Sequence, residues 1–187
     1  MNNKYFNVVA LIFFILFVSG NLLLAQRETV NFNDNWLFTK GNATNASAPQ
    51  LNDSGWDKIS LPHDWAISGP FNPVGEGNTG KLPWKGEGWY RKHFTPVLTD
   101  LNKKFYIIFD GVMASPKVFL NGKPAGSWDY GYNSFFIDIT PFLKFGKDNV
   151  IAVSASTLNH DSRWYPGAGI YRKVQLIKTD QVHVDIW

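Results

Sequence analysis

Between Asn159 and Arg172 the chain sets Asn159, His160, Asp161, Ser162 and Arg163 directly ahead of Trp164 and Tyr165. Gly167 and Gly169 follow, and a residue without Cβ lets the backbone approach another surface closely. This polar run beside two large rings is the stretch best equipped to bind a ligand. His63-Asp64-Trp65 offers a second possibility, a histidine base beside an aspartate that orients it. Adjacent residues on an extended chain point to opposite sides, so these two cannot form that pair directly. No serine or cysteine elbow accompanies them. The expectation is therefore structural, with His63 and Asp64 bonding backbone groups and Trp65 buried. Paired carboxylates are the third chemistry to look for. Glu28, Glu76 and Glu87 are the only glutamates, and none of the aspartates from Asp34 to Asp180 sits in a recognisable catalytic motif. Asp161 by itself makes no cation site, which needs several oxygen ligands. No catalytic residue and no metal ligand is assigned.

The elements that must position these residues read as strands. After residue 26 no window holds a helical period, while short apolar or alternating runs recur between turns. Strands are expected at Glu28–Phe32, Trp36–Thr39, Trp56–Ser60, Gly88–Phe94, Lys104–Asp110 and Lys117–Leu120. Others are expected at Ser127–Trp128, Ser134–Ile139, Asn149–Ser156, Ile170–Lys178 and Val182–Ile186. Phe105, Ile107 and Phe109 share one face of their strand. Asn121-Gly122 tolerates positive φ at both central positions of a tight turn and closes a hairpin behind Lys117–Leu120. Many short strands at this spacing predict an all-β, antiparallel jelly-roll sandwich. Lys40–Gly55, rich in Asn, Ala and Ser, reads as a mobile surface loop. Ala66–Glu87 is rich in Gly and Pro but carries Phe71 and Trp84, and reads as an ordered loop.

Residues 1–25 read as a secretory signal peptide. Lys4 supplies a basic start, Phe6–Val18 is almost wholly apolar, and Ala25 precedes a polar stretch. The apolar run is broken at Gly20 and Asn21 and falls short of the roughly 20 residues a membrane span needs. No stable membrane anchor is expected, and the mature chain is placed in the periplasm or outside a bacterial cell. The absence of cysteine excludes disulfide stapling and a lipidated cysteine at the cleavage point. Although the sequence pI is about 9.0, Lys and Arg are scattered among acids, which argues against nucleic acid as a partner. Aromatic residues make up 16% of the chain. That content fits a β-rich core and equally a surface that stacks flat ligands such as sugars. The Asn-x-Ser/Thr triplets at Asn42, Asn45 and Asn52 are taken as chance in an Asn-rich loop.

Eight fragments resemble, in order and spacing, the N-terminal sugar-binding domain of glycoside hydrolase family 2. They are Asn33-Asp34-Asn35-Trp36, Ser60–Trp65, Gly88–Lys92, Phe109–Val112, Val118–Gly122, Gly131–Phe135, Asp138–Thr140 and Ser162–Arg172. The resemblance implies a galactose-binding-domain-like sandwich over residues 26–180. Residues 181–187 resemble the opening strand of an immunoglobulin-like domain, with a (β/α)₈ barrel to follow. The sequence is thus expected to be part of a longer enzyme, cut short before its barrel.

The resemblance also implies the chemistry of that parent enzyme. It is a retaining β-glycosidase, with β-galactosidase preferred on the wording of Leu61–Trp65 and Arg163–Arg172. Its two carboxyl groups, about 5 to 5.5 Å apart, come from the barrel, so this chain alone is expected to be inactive. The ligand implied is a β-galactoside or related glycan, the partners are the downstream domains, and no cofactor belongs to this chain. The segment holding Asp161, Arg163, Trp164 and Tyr165 would reach the mouth of the barrel's site and contribute to the sugar pocket or to a cation of the parent. Arg163 would then hold sugar hydroxyls or a barrel acid, and Trp164 or Tyr165 would stack on a ring. Alternatively, Arg163 pairs with a barrel carboxylate and the aromatics fill the domain interface. A free-standing carbohydrate-binding module and a purely structural packing domain are the competing functions.

Overall fold

The computed structural model describes residues 26–187, so the expected leader lies outside the described residues. Ten strands form in chain order: β1 Arg27–Asn31, β2 Trp36–Lys40, β3 Asp57–Ile59, β4 Glu87–Phe94, β5 Lys104–Phe109, β6 Lys117–Leu120, β7 Lys123–Ser127, β8 Phe135–Asp138, β9 Asn149–Ser156 and β10 Val174–Thr179. They pair antiparallel into a four-stranded sheet, β1-β10-β5-β8, and a six-stranded sheet, β3-β2-β4-β9-β6-β7. This is the all-β sandwich that the strand spacing predicts. Between the sheets, Phe105, Ile107 and Phe109 of β5 meet Trp36, Tyr90, Val118, Leu120, Ile151 and Val153 in one apolar cluster. Alternation along each strand puts these side chains on the inner faces.

The Asn-Gly turn forms as its residue types require. Asn121 has φ 52° and Gly122 φ 83°, and Leu120 faces Lys123 across it. The strand therefore begins at Lys123 and ends at Ser127, and Trp128, expected in it, lies beyond. Two other strand expectations need correction. The run expected at Ile170–Lys178 forms a strand only from Val174, and runs one residue further to Thr179, while Gly169 just ahead of it makes an isolated bridge with Met113. Val182–Ile186 has the alternation of a strand but pairs with no neighbour. Side chains hold the tail instead. Ile186 is buried against Tyr106, Ile108 and Ile177 on the outer face of the four-stranded sheet, while Val182 and Val184 are exposed.

The loop 40–55 packs far more tightly than its composition indicates. It folds across the outer face of the six-stranded sheet, where β4 presents Arg91, a side chain with no exposure. Arg91 Nε donates to Asp53 Oδ2 at 2.7 Å, and its Nη1 donates to the carbonyls of Ala46 and Ala48. His93, two residues on and on the same face, bonds Asp53 through Nε2 at 3.1 Å and Asp148 through Nδ1 at 2.7 Å. Burial works against a charge on His93, but the two carboxylates outweigh it and raise its pKa. Asp53 is lowered, Arg91 and His93 overcoming its own desolvation.

A pH dependence follows, because a pKa that differs between folded and unfolded states makes stability depend on pH. The His93 contribution is fully present below pH 6.5, the unperturbed value. It is lost as pH rises through the elevated one. The Asp53 contribution is present above pH 3.8, its unperturbed value, and is lost as pH falls through the lowered one. Urea midpoints of wild type and His93→Gln, taken across pH, are expected to differ most in the window between these limits. The two curves should converge at alkaline pH.

Candidate functional site

One end of the sandwich collects the C-termini of β5 and β9 and the N-termini of β4, β6, β8 and β10. The segment after β9 crosses this end, and hydrogen bonds fix its base. His63 N–H donates to Ile170 O at 2.8 Å and Trp65 N–H to Ala168 O at 3.2 Å. On the other side Met113 and Gly169 exchange both backbone bonds, at 2.9 and 2.6 Å. Residues 168–170 are thus clasped between two segments. Gly169 sits at φ 102°, and a Cβ placed on it would lie 2.1 Å from the Tyr90 hydroxyl.

The groups beneath are hydrogen-bonded to one another, save the Trp65 indole N–H, which is buried without a partner. The Tyr90 hydroxyl accepts the Ile170 N–H at 3.4 Å and shares a hydrogen bond with His63 Nδ1 at 3.0 Å. Burial pushes the His63 imidazole down against the opposing pull of Asp64 and Asp57. His63 therefore bonds a tyrosine hydroxyl where a backbone group was expected. Asp64 does bond backbone, taking Ala66 N–H at 3.0 Å, and also accepts the Tyr165 hydroxyl at 2.7 Å on the same Oδ1. Burial and the Asp64 carboxylate together hold the Tyr165 hydroxyl far above its ordinary pKa. Tyr165→Phe leaves Asp64 short of a partner and is expected to cost about 1–3 kcal/mol, read as a lower urea midpoint. An unchanged midpoint would show that this bond does not secure the segment.

The four residues singled out by sequence separate into two groups. Asp161, Arg163 and Trp164, with Ser162, line one shallow recess of about 450 Å³. Tyr165 turns back under it to Asp64. Asp161 pairs with Lys85 at 3.0 Å. Arg163 is exposed and makes no hydrogen bond or ion pair with another described residue. Trp164, 58% exposed, donates its indole N–H to the Tyr132 hydroxyl at 2.9 Å. A second loop, 128–134, is joined to this segment by that bond and by Tyr171 Oη donating to Gly131 O at 2.8 Å. Tyr130 and Tyr132 lie edge to face with centroids 5.6 Å apart. Trp128 stacks on Phe135 at 5.7 Å and bonds Asn133. The result is a rim on which Trp164, Tyr130 and part of Trp128 stand in solvent above a bonded base.

In the sequence Trp128–Tyr132 reads as a sugar-stacking ledge or, more readily, as a loop packed under the next strand, and Lys85 carries no signal at all. The Tyr130–Tyr132 aromatic spacing was the available clue to the ledge, while nothing local to Lys85 points across the chain to Asp161. Among the described residues no group of three His, Cys, Asp or Glu side chains could hold a metal. Two pairs of carboxylates do face each other, but each is held by a cation between them, His93 for Asp53 and Asp148 and Lys178 for Glu28 and Asp100. Neither pair is free for acid–base work. No described helix is long and apolar enough to cross a membrane.

An antiparallel sandwich whose one end carries a fixed aromatic rim belongs to the class of sugar-binding β-sandwich domains. The chain is a member of glycoside hydrolase family 2: the family model described as "Glycosyl hydrolases family 2, sugar binding domain" matches residues 30–180. It is 46% identical over 173 residues to the β-galactosidase BoGH2A of Bacteroides ovatus, covering 90% of this chain and 20% of that protein. It is 35% identical over 178 residues to a β-glucuronidase of Formosa agariphila, covering 87% of this chain and 18% of that protein. Among solved structures, a family 2 member from Bacteroides cellulosilyticus superposes with a TM-score of 0.81 at 35% identity, over 85% of this chain and 21% of the other. A β-glycosidase from Bacteroides vulgatus gives 0.77 at 40% identity, over 82% and 20%. The chain thus spans about a fifth of the relatives it matches.

Proposed function

We propose that this chain is the N-terminal domain of a retaining β-glycosidase acting on β-galactosides, and that its rim forms one wall of the sugar pocket. The observation that carries the reading is the contrast at the rim. Trp164 and Arg163 are exposed and spare of partners on their outer sides, while the base beneath them is bonded on both flanks. A binding surface needs this combination, since rings held in place lose little entropy when a ligand stacks on them. Trp164 and Tyr130 supply ring faces, and Arg163 and Asp161 supply a donor and an acceptor for hydroxyl groups. Tyr165 positions Trp164 through Asp64. The carboxyl pair that cleaves the glycosidic bond comes from a downstream barrel, with residues 181–187 leading into an intervening immunoglobulin-like domain.

The β-galactoside preference rests on the similarity to the B. ovatus β-galactosidase. Residues 1–25 are proposed as an export leader into the periplasm or medium of a bacterium, a source consistent with the bacterial relatives. A cation fits this chain poorly: Asp161 is the recess's one carboxylate and already faces Lys85, so no step is assigned to a metal here.

Titration of the isotopically labelled chain with lactose tests the rim. The Trp164 indole N–H resonance is expected to shift progressively up to tens of millimolar lactose, and Trp164→Ala to abolish the response of the neighbouring loop 128–134. A Trp164 resonance unmoved at saturating sugar would overturn the reading.

A further inference from the structure

The outer face of the six-stranded sheet is dressed unevenly. Its half nearest the Asn121-Gly122 turn is covered by the loop 40–55, fastened through Arg91. The half nearest the rim is uncovered and concave. There a polar hollow of about 310 Å³ is lined by Glu87, Lys117, Ser154, Ser156, Asn159 and His160. Strand register explains the grouping. Glu87 of β4 faces Ser156 of β9, Trp89 faces Ser154, and Lys117 of β6 faces Ser154 from the other side. Inner-face neighbours Tyr90, Val153 and Val118 belong to the core, so alternation sends these polar side chains outward.

Two features separate this hollow from ordinary wet surface. First, the side chains of Glu87, Lys117, Ser154, Ser156 and Asn159 make no hydrogen bond to any described residue, although Glu87, Ser154 and Ser156 are half-buried. Half-buried groups elsewhere on this face, Asp53 above all, are fully engaged. Second, the hollow has an aromatic border. Trp89 and Phe119 lean together across β9 with centroids 5.9 Å apart and planes 31° from each other. The short side chains of Ala152 and Ser154 beneath them leave room for this. Carboxylate, ammonium, hydroxyl and amide groups converging beside tilted rings match a ligand with hydroxyl edges and apolar faces. Glu87 offsets Lys117, which disfavours phosphate and other strong anions and leaves a neutral ligand.

We propose that this hollow is a second saccharide-binding groove, taking a stretch of neutral β-linked oligosaccharide across β4, β9 and β6. Glu87 and Lys117 bond its hydroxyls from opposite sides, Ser154 and Ser156 form the floor, and Trp89 stacks on a sugar ring. The groove stands apart from the rim, with Lys85 between them bonding His160 O and Asp161. It serves to hold a polymeric or branched glycan to the domain and goes beyond the wall function proposed above.

The test is titration of the full chain with galactotetraose and with cellotetraose, by calorimetry and by the indole N–H resonances. At least one tetrasaccharide is expected to bind and to move the Trp89 resonance. Glu87→Gln should weaken binding about fivefold, and Ser154→Phe, which fills the floor, at least tenfold, about 1.4 kcal/mol or more. Leu101→Ser, an exposed position at the opposite end of the sandwich, should leave this affinity unchanged. Both groove substitutions lie on an exposed strand face, and urea midpoints confirm folding. Glu87→Gln carries the test should Ser154→Phe fail to fold. Absence of binding by either sugar at millimolar concentration would overturn the groove, as would binding lost in Trp164→Ala and retained in both groove variants. A Trp164 resonance indifferent to lactose, with tetrasaccharide binding still weakened about fivefold in Glu87→Gln, would remove the rim and leave the groove standing.

Discussion

Arg91→Ala is expected to destabilise the domain by about 3–5 kcal/mol, the usual cost of removing one partner from a buried ion pair. The guanidinium has no exposure, and Asp53 beside it is 13% exposed. Removing Arg91 leaves that carboxylate to His93 alone and uncaps the carbonyls of Ala46 and Ala48 that Arg91 Nη1 bonds. Trp56, whose ring lies 5.8 Å from the guanidinium carbon, loses its cation as well. Arg91 Nη2 is already buried without a partner, so the network is not fully satisfied even in the native protein, which sets the estimate below a sum of its bonds. Urea unfolding of the two proteins checks the value, and limited proteolysis checks the mechanism, because a freed loop 40–55 should be nicked first. A cost below about 1 kcal/mol would mean the loop holds to the sheet by other contacts.

The second large effect is expected at Gly169→Ala, at about 3 kcal/mol. Two penalties combine: a side chain at φ 102° is strained whatever the space around it, and the new Cβ overpacks a closed site. It would stand 2.1 Å from the Tyr90 hydroxyl, 3.1 Å from the His63 carbonyl and 3.1 Å from the Trp65 ring. Tyr90 cannot simply retreat, being fully buried and bonded to His63. The Gly169→Ala/Tyr90→Phe double variant should recover part of the loss, since it removes the atom the Cβ meets. A double-mutant cycle measures that coupling. Additive effects would place the strain in the backbone alone. Lowered rim order is the functional consequence, because residues 168–170 carry Trp164 and Tyr165 on one side and Tyr171 on the other.

Residues whose partners are near in sequence were legible, and those whose partners are far away were not. The strands β2, β4, β5 and β6 follow from short apolar or alternating runs, β9 from a run apolar or small on both faces, and the Asn121-Gly122 turn from two residues that accept positive φ. The order of family fragments located the rim segment. Arg91 was not legible, because alternation puts it on an outer sheet face that a sandwich ordinarily exposes. Only the return of a loop some 40 residues earlier buries it. The same distance problem hid the Trp164–Tyr132 bond, 32 residues apart, and the Asp64–Tyr165 bond, 101 apart. Val182–Ile186 shows the reverse error. Its alternation is that of a strand, but a strand exists only with a partner to ladder against, and Ile186 finds a side-chain pocket instead.

The central claim, that this rim is one wall of a β-galactosidase pocket, is tested most directly by exchange. Residues 26–180 would replace the matching segment of the B. ovatus β-galactosidase, and hydrolysis of an aryl β-galactoside would be followed. The hybrid is expected to be active, and Trp164→Ala within it to raise KM about tenfold with kcat little changed, the signature of lost ground-state and transition-state binding alike. A folded hybrid without activity, or one whose KM is indifferent to Trp164 and Arg163, would contradict it.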